Sequence, residues 1–93
     1  MKNSARLIAQ YREALAGGAA LASADERKLY ALHTKELEHL LELLSSGAPY
    51  ADIAKLIATE RRAFGWSFLA GPHGERVERA FHALAAVLET QCC

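Results

Sequence analysis

No hydrophobic run in this chain approaches the roughly 20 apolar residues that a membrane-spanning helix needs. Arg12 and Glu13 interrupt the apolar residues nearest its start, so no signal peptide is expected either. Charge of one sign is also missing: 11 basic side chains balance 11 acidic ones. A general nucleic-acid binder carries a basic surplus, and this balance speaks against that class. Cysteine occurs only as Cys92-Cys93. Adjacent cysteines enclose no loop and cannot staple a fold, so they read as a frayed tail of reduced thiols. With alanine abundant and lysine sparse, the expected setting is the cytoplasm of a bacterium.

Signatures of chemistry are equally scarce. There is no Gly-x-Ser-x-Gly elbow, no phosphate-binding loop, no paired active-site carboxylate pattern and no zinc-type Cys/His spacing. Glu36-x-x-His39 has the spacing used in di-iron four-helix bundles. Such a site needs a second copy of the motif, and Glu78 and His82 stand four apart rather than three. The expectation is a protein that is not an enzyme and holds no metal and no cofactor. His33 falls on an apolar stripe and reads as a hydrogen-bonded, partly buried residue.

The chain does contain helical periodicity from end to end. Its 93 residues form one domain, residues 1–93, long enough for a real but thin core. Leu7, Ile8, Tyr11 and Leu15 give a first helix over about residues 4–16, with Gly17-Gly18 expected to stop it. Ser23 and Glu26 have capping-box spacing and open a second helix over 23–45. Its face carries Leu29, Tyr30, His33, Leu37, Leu40, Leu41 and Leu44. Pro49 suits the first position of a third helix over 49–65, with Tyr50, Ile53, Ala54, Ile57 and Phe64 inward and Leu56 beside them. Pro72 likewise opens a fourth, 72–90, with Val77, Ala80, Phe81, Leu84, Ala85 and Leu88 inward. Strand alternation and internal repeats are absent. Short connections favour antiparallel neighbours, so the expected fold is all-α, a compact antiparallel four-helix bundle.

The densest local feature is Phe64-Gly65-Trp66-Ser67-Phe68-Leu69-Ala70-Gly71-Pro72-His73-Gly74. It holds the only tryptophan and reads as a corner between the third and fourth helices, with Phe64, Phe68 and Leu69 in the core. Charge is segregated around it. Arg61, Arg62, His73, Arg76 and Arg79 surround the corner, tempered by Glu60, Glu75 and Glu78. Glu36, Glu38 and Glu42 make the second helix locally acidic. Tryptophan and arginine are the residue types most enriched at binding hot spots. The candidate partner-binding residues are therefore Arg61, Arg62 and Arg76 as charge-assisted contacts and Trp66 as an anchor. Glu36, Glu38 and Glu42 form an opposite-sign face.

Residues 49–69 admit a second reading. Ile53-Ala54-Lys55-Leu56-Ile57 resembles the opening of a helix-turn-helix, with a turn at Ala58-Thr59 and a reading helix from Glu60. That helix would place Gly65, Trp66, Phe68 and Leu69 where base-reading polar side chains belong. A third reading is a homodimeric structural module whose apolar excess lies in a symmetric interface.

The block Glu60-Arg61-Arg62-Ala63-Phe64-Gly65-Trp66-Ser67-Phe68-Leu69, followed by Gly71-x-x-Gly74 and Val77-Glu78-x-Ala80-Phe81, resembles small helical proteins of bacterial toxin–immunity systems. The resemblance implies a cytoplasmic inhibitor that occludes a toxin by surface complementarity and performs no chemistry. The leading expectation is thus a non-enzymatic protein-binding module with a protein partner and no membrane, and nucleic acid is the less favoured partner.

Overall fold

The structure is a computed structural model that describes residues 2–66, 69 and 71–91, with side chains over 4–65, 69 and 71–90. It contains α1 (Lys2–Leu21), α2 (Ala24–Ser45), α3 (Tyr50–Trp66) and α4 (Gly71–Gln91), and no strand among the described residues. Helix α1 packs most extensively on α4, then on α2; α3 packs on α2 and touches α4 more lightly. The result is a compact four-helix bundle.

Local chemistry sets the boundaries. Ser23 is extended, and its Oγ accepts the Glu26 backbone N–H at 3.3 Å. The Ser23 N–H donates back to Glu26 Oε1, which completes the capping box. Helix α2 ends in a Schellman motif: the Ala48 N–H donates to the Leu43 carbonyl and the Gly47 N–H to Leu44. Gly47 has a φ of 70°, a left-handed conformation that glycine adopts without a Cβ penalty. Pro49 lies just before α3, where its carbonyl accepts from the Asp52 and Ile53 N–H groups. It is therefore the cap, one step ahead of the first helical position.

One expectation about helix limits fails, and one alternative reading loses its turn. Gly17-Gly18 does not stop α1, which runs on to Leu21. Ala19, Ala20 and Leu21 are good helix formers, and a glycine costs only about 1 kcal/mol against alanine. Gly18 is needed for another reason: a Cβ there would lie 2.5 Å from Cε1 of Tyr30. The missing side chain lets the buried Tyr30 ring lie against the α1 backbone. The turn required by a helix-turn-helix is also missing. Helix α3 passes unbroken through Ala58 and Thr59, and the Thr59 hydroxyl donates to the Lys55 carbonyl one turn back.

Paired contacts fix the sense of neighbouring helices. Arg12 meets Glu38, and Gly18, further along α1, meets Tyr30, which lies earlier on α2. Arg61 pairs with Glu89, whereas Phe64 meets Phe81. In both cases one helix ascends as the other descends. The core contains Tyr11, Leu15, Tyr30, Leu37, Leu40, Ile53, Leu56, Ile57, Phe64, Val77, Phe81, Leu84, Ala85 and Leu88. Leu7, Ile8, Leu41, Leu44, Leu69 and Ala80 pack around it half-buried. Tyr50, expected inward, is 39% exposed at the start of α3, before that helix settles onto the core. Phe68 lies outside the described residues.

Candidate functional site

Two polar features stand out, one sealed and one open. The sealed one joins three helices. Glu60 on α3 and His33 on α2 are 6% and 2% exposed. His33 Nδ1 stands 3.0 Å from Glu60 Oε2, and the Tyr11 hydroxyl on α1 donates to the same oxygen at 3.4 Å. Phe64 lies one turn beyond Glu60 and stacks on the His33 ring, with centroids 4.2 Å apart and planes 9° from parallel. Tyr11, Phe64 and Phe81 close the other side. Burial, reinforced by the Glu60 charge and its hydrogen bond, pushes the Tyr11 phenol far above its ordinary value. Burial likewise raises Tyr30, helped by Glu26.

Glu60 corrects the expectation that it is a surface acid tempering the arginines around Trp66. Its position contained the signal, because Ile53, Ile57, Glu60 and Phe64 repeat at steps of four, three and four. That spacing places all four on one face. His33 is more deeply buried than a partly buried reading implies. Among the described residues, no buried side-chain nitrogen or oxygen lacks a hydrogen-bond partner. The adjoining cavity, lined by Leu37, Leu40, Leu56 and Ile57 among others, holds about 10 Å³. That is at most room for one water.

The open feature is a groove of about 530 Å³ between α1 and α4. Ala14, Gly17, Gly18, Ala80 and Ala83 form its small-residue bed. Gln10 and Glu13 line the α1 side, and His73, Arg76 and Arg79 line the α4 side. Leu21, 67% exposed, stands at one end. A Cβ on Gly17 would meet nothing within 4 Å, so the space above it is free. The close packing beneath α4 depends on Gly74, where a Cβ would fall 2.0 Å from the Leu69 carbonyl oxygen.

The residues singled out from the sequence are spread over this architecture. Arg76 lies in the groove. Arg61 is on α3 and pairs with Glu89 of α4, and Arg62 is exposed beside it. Glu38 is exposed and reaches Arg12 of α1 at 3.9 Å. Glu42, one turn on, is exposed, while Glu36 is half-buried and borders the small cavity beside Tyr11. The Trp66 side chain and Cys92-Cys93 lie outside what the structure describes. Among the described residues, no group of three His, Cys, Asp or Glu side chains is placed to hold a metal ion, and no helix is long and apolar enough to cross a membrane. Sequence reasoning missed the groove because its lining comes from α1 and α4, which lie far apart in the chain. No family model, curated protein or solved structure matches this chain.

Proposed function

We propose that this chain is a non-enzymatic protein-binding module that docks its partner in the α1–α4 groove. One observation carries the reading: an open groove of about 530 Å³ has Arg76 and Arg79 on its α4 wall beside a bed of small residues. The buried Tyr11–Glu60–His33 group supports it from the opposite side, because its hydrogen bonds are used within the fold. The similarity of residues 60–81 to toxin–immunity proteins makes a bacterial toxin the first partner to test, with neutralisation by occlusion. Glu38 and Glu42 offer a second, acidic contact surface on α2.

Capture from the native host with immobilised protein tests the reading. A specific protein retained by the wild type and lost on Arg76→Glu with Arg79→Glu is the expected result. Recovery unchanged after Glu38→Lys and Glu42→Lys removes the α2 surface from the scheme. Failure of the wild type to retain any protein above control overturns the binding function itself. Sedimentation at several concentrations separates hetero-association from self-association, since a homodimeric module gains mass as it is concentrated.

A further inference from the structure

We infer that the occupant of the α1–α4 groove is an amphipathic helix of the partner protein, with carboxylates along one edge; this rests on the protein-binding reading above. The groove has the dimensions for it. Its α1 wall extends from Gln10 to Leu21, which is ~17 Å, or about three turns, at helical rise. Along the bed, Ala14, Gly17, Gly18, Ala80 and Ala83 project nothing larger than a methyl group. A helix backbone can therefore approach closely, as in other helix-in-groove complexes.

Charge selects the kind of helix. His73, Arg76 and Arg79 follow one another at steps of three along the α4 wall. None of them makes an ion pair with another described residue. A facing helix with carboxylates three or four residues apart repeats at the same spacing. Glu13 on the α1 wall calls for a cation on the helix's other edge, which would fix its orientation. Exposed Leu21 supplies an apolar contact at the end. A single-chain anionic amphiphile fits less well. Its one headgroup would engage one of the two arginines, and ligands of that size are held in sites that enclose most of their surface, whereas this groove is open along its length.

The test titrates the full-length, ¹⁵N-labelled protein with two blocked peptides of about 15 residues, long enough to form helix. They share an Ala/Leu face and differ only in carrying three Glu or three Lys along one edge. The expected result is that the Glu peptide shifts the amides of Ala14, Gly17, Gly18, Ala80 and Ala83. It should bind about tenfold more tightly than the Lys peptide at low salt, a ratio that narrows as salt is added. Arg76→Glu with Arg79→Glu should reverse the preference. Gly17→Leu should fill the groove and abolish binding while leaving the fold intact, as judged by circular dichroism and melting temperature. Equal affinities, tighter Lys-peptide binding, no binding, shifts centred on other helices, or a groove that answers oleate and neither peptide would each overturn the assignment. If host capture still yields a partner that the Arg76→Glu, Arg79→Glu protein retains equally, the helix-in-groove assignment falls and the binding function stands. If the wild type captures nothing, the binding function falls.

Discussion

Helix α1 borders both polar regions and treats them in opposite ways. Tyr11 points into the bundle, where it shares one oxygen of Glu60 with His33. Less than two turns away, Gly17 leaves room outside the bundle in the groove shared with Arg76 and Arg79. The inner region is rich in ionisable groups, yet every one of them is engaged within the fold. The outer region has fewer special residues, but its arginines make no ion pair with another described residue and its space is open. Unusual burial of titratable groups is often read as a functional signal. Here the three side chains satisfy one another inside the bundle and tie α1, α2 and α3 together. Substitutions inside should therefore change stability and spare binding, and substitutions in the groove should do the reverse.

The largest effect should come from breaking the sealed cluster. Glu60→Ala leaves the His33 nitrogen and the Tyr11 hydroxyl buried without their shared acceptor. Removing one partner of a buried pair costs about 3–5 kcal/mol, measurable as a fall in the urea midpoint at unchanged slope. Replacing the whole group by apolar residues, Tyr11→Phe with His33→Leu and Glu60→Leu, should recover most of that loss. A triple variant as unstable as Glu60→Ala would show that the cluster contributes more than satisfied polarity. Peptide or partner binding by the folded triple variant should match the wild type, and a loss of binding would erase the division between the two regions.

Adjacent glycines sharpen the comparison, since one faces inward and the other outward. Gly18→Ala drives a Cβ to within 2.5 Å of the buried Tyr30 ring. Overpacking of this kind costs about 1–3 kcal/mol. Gly17→Ala meets nothing within 4 Å, and in a helix interior it should stabilise by about 0.5–1 kcal/mol. Thermal denaturation of the two single variants should move the melting temperature in opposite directions. A stabilising shift in both would mean that the Tyr30 ring moves aside for the added methyl group and that Gly18 is not required by its packing.

Much of this molecule is legible in its sequence, and the parts that are not share a cause. Ser23 with Glu26 announces a capping box that forms as read. The stripe Val77, Phe81, Leu84, Leu88 is buried as its spacing requires. Gly17-Gly18 reads as a helix stop and is not one, because glycine serves two purposes, closing helices and admitting close neighbours, and at Gly18 only the position of Tyr30 decides between them. Glu60 sits on a stripe whose geometry is plain, but its carboxylate suggests solvent until His33 and Tyr11 are brought to it from 27 and 49 residues away. The groove depends on a tertiary pairing of two helices at opposite ends of the chain. Local pattern fixes elements and faces; it does not fix which small residues end up opposite one another.

High pH separates the regions through tyrosine. Tyr11 and Tyr30 both have phenols raised by burial, each with a nearby carboxylate adding to the shift. A group whose folded pKa lies above its unfolded value contributes stability that is complete below the unfolded value and is lost as pH rises past it. For tyrosine the loss begins at about pH 10. Beyond that the decline is about 1.4 kcal/mol per pH unit for each tyrosine that stays protonated in the fold. Tyr11→Phe should lessen the slope of stability against pH above this point. An unchanged slope would mean that Tyr11 is not the group held neutral. The groove contains no tyrosine, so its substitutions should leave the slope alone.

The smallest effect is expected at the surface, and it tests whether a paired arginine differs from an unpaired one. Arg61 and Glu89 form an ion pair between α3 and α4 with both side chains substantially exposed. Solvent and salt screen such a pair, so Arg61→Ala should cost about 0.2–1 kcal/mol, and less as salt is raised. Arg76 has no comparable partner among the described residues, so Arg76→Ala should leave the urea midpoint nearly unchanged. The order should invert in a binding titration, where Arg76→Ala weakens the acidic peptide and Arg61→Ala does not. Should Arg61→Ala weaken it equally, the contact surface would have to extend around α4 to α3. The cationic groove would then be one part of a wider interface that reaches the corner beside Trp66.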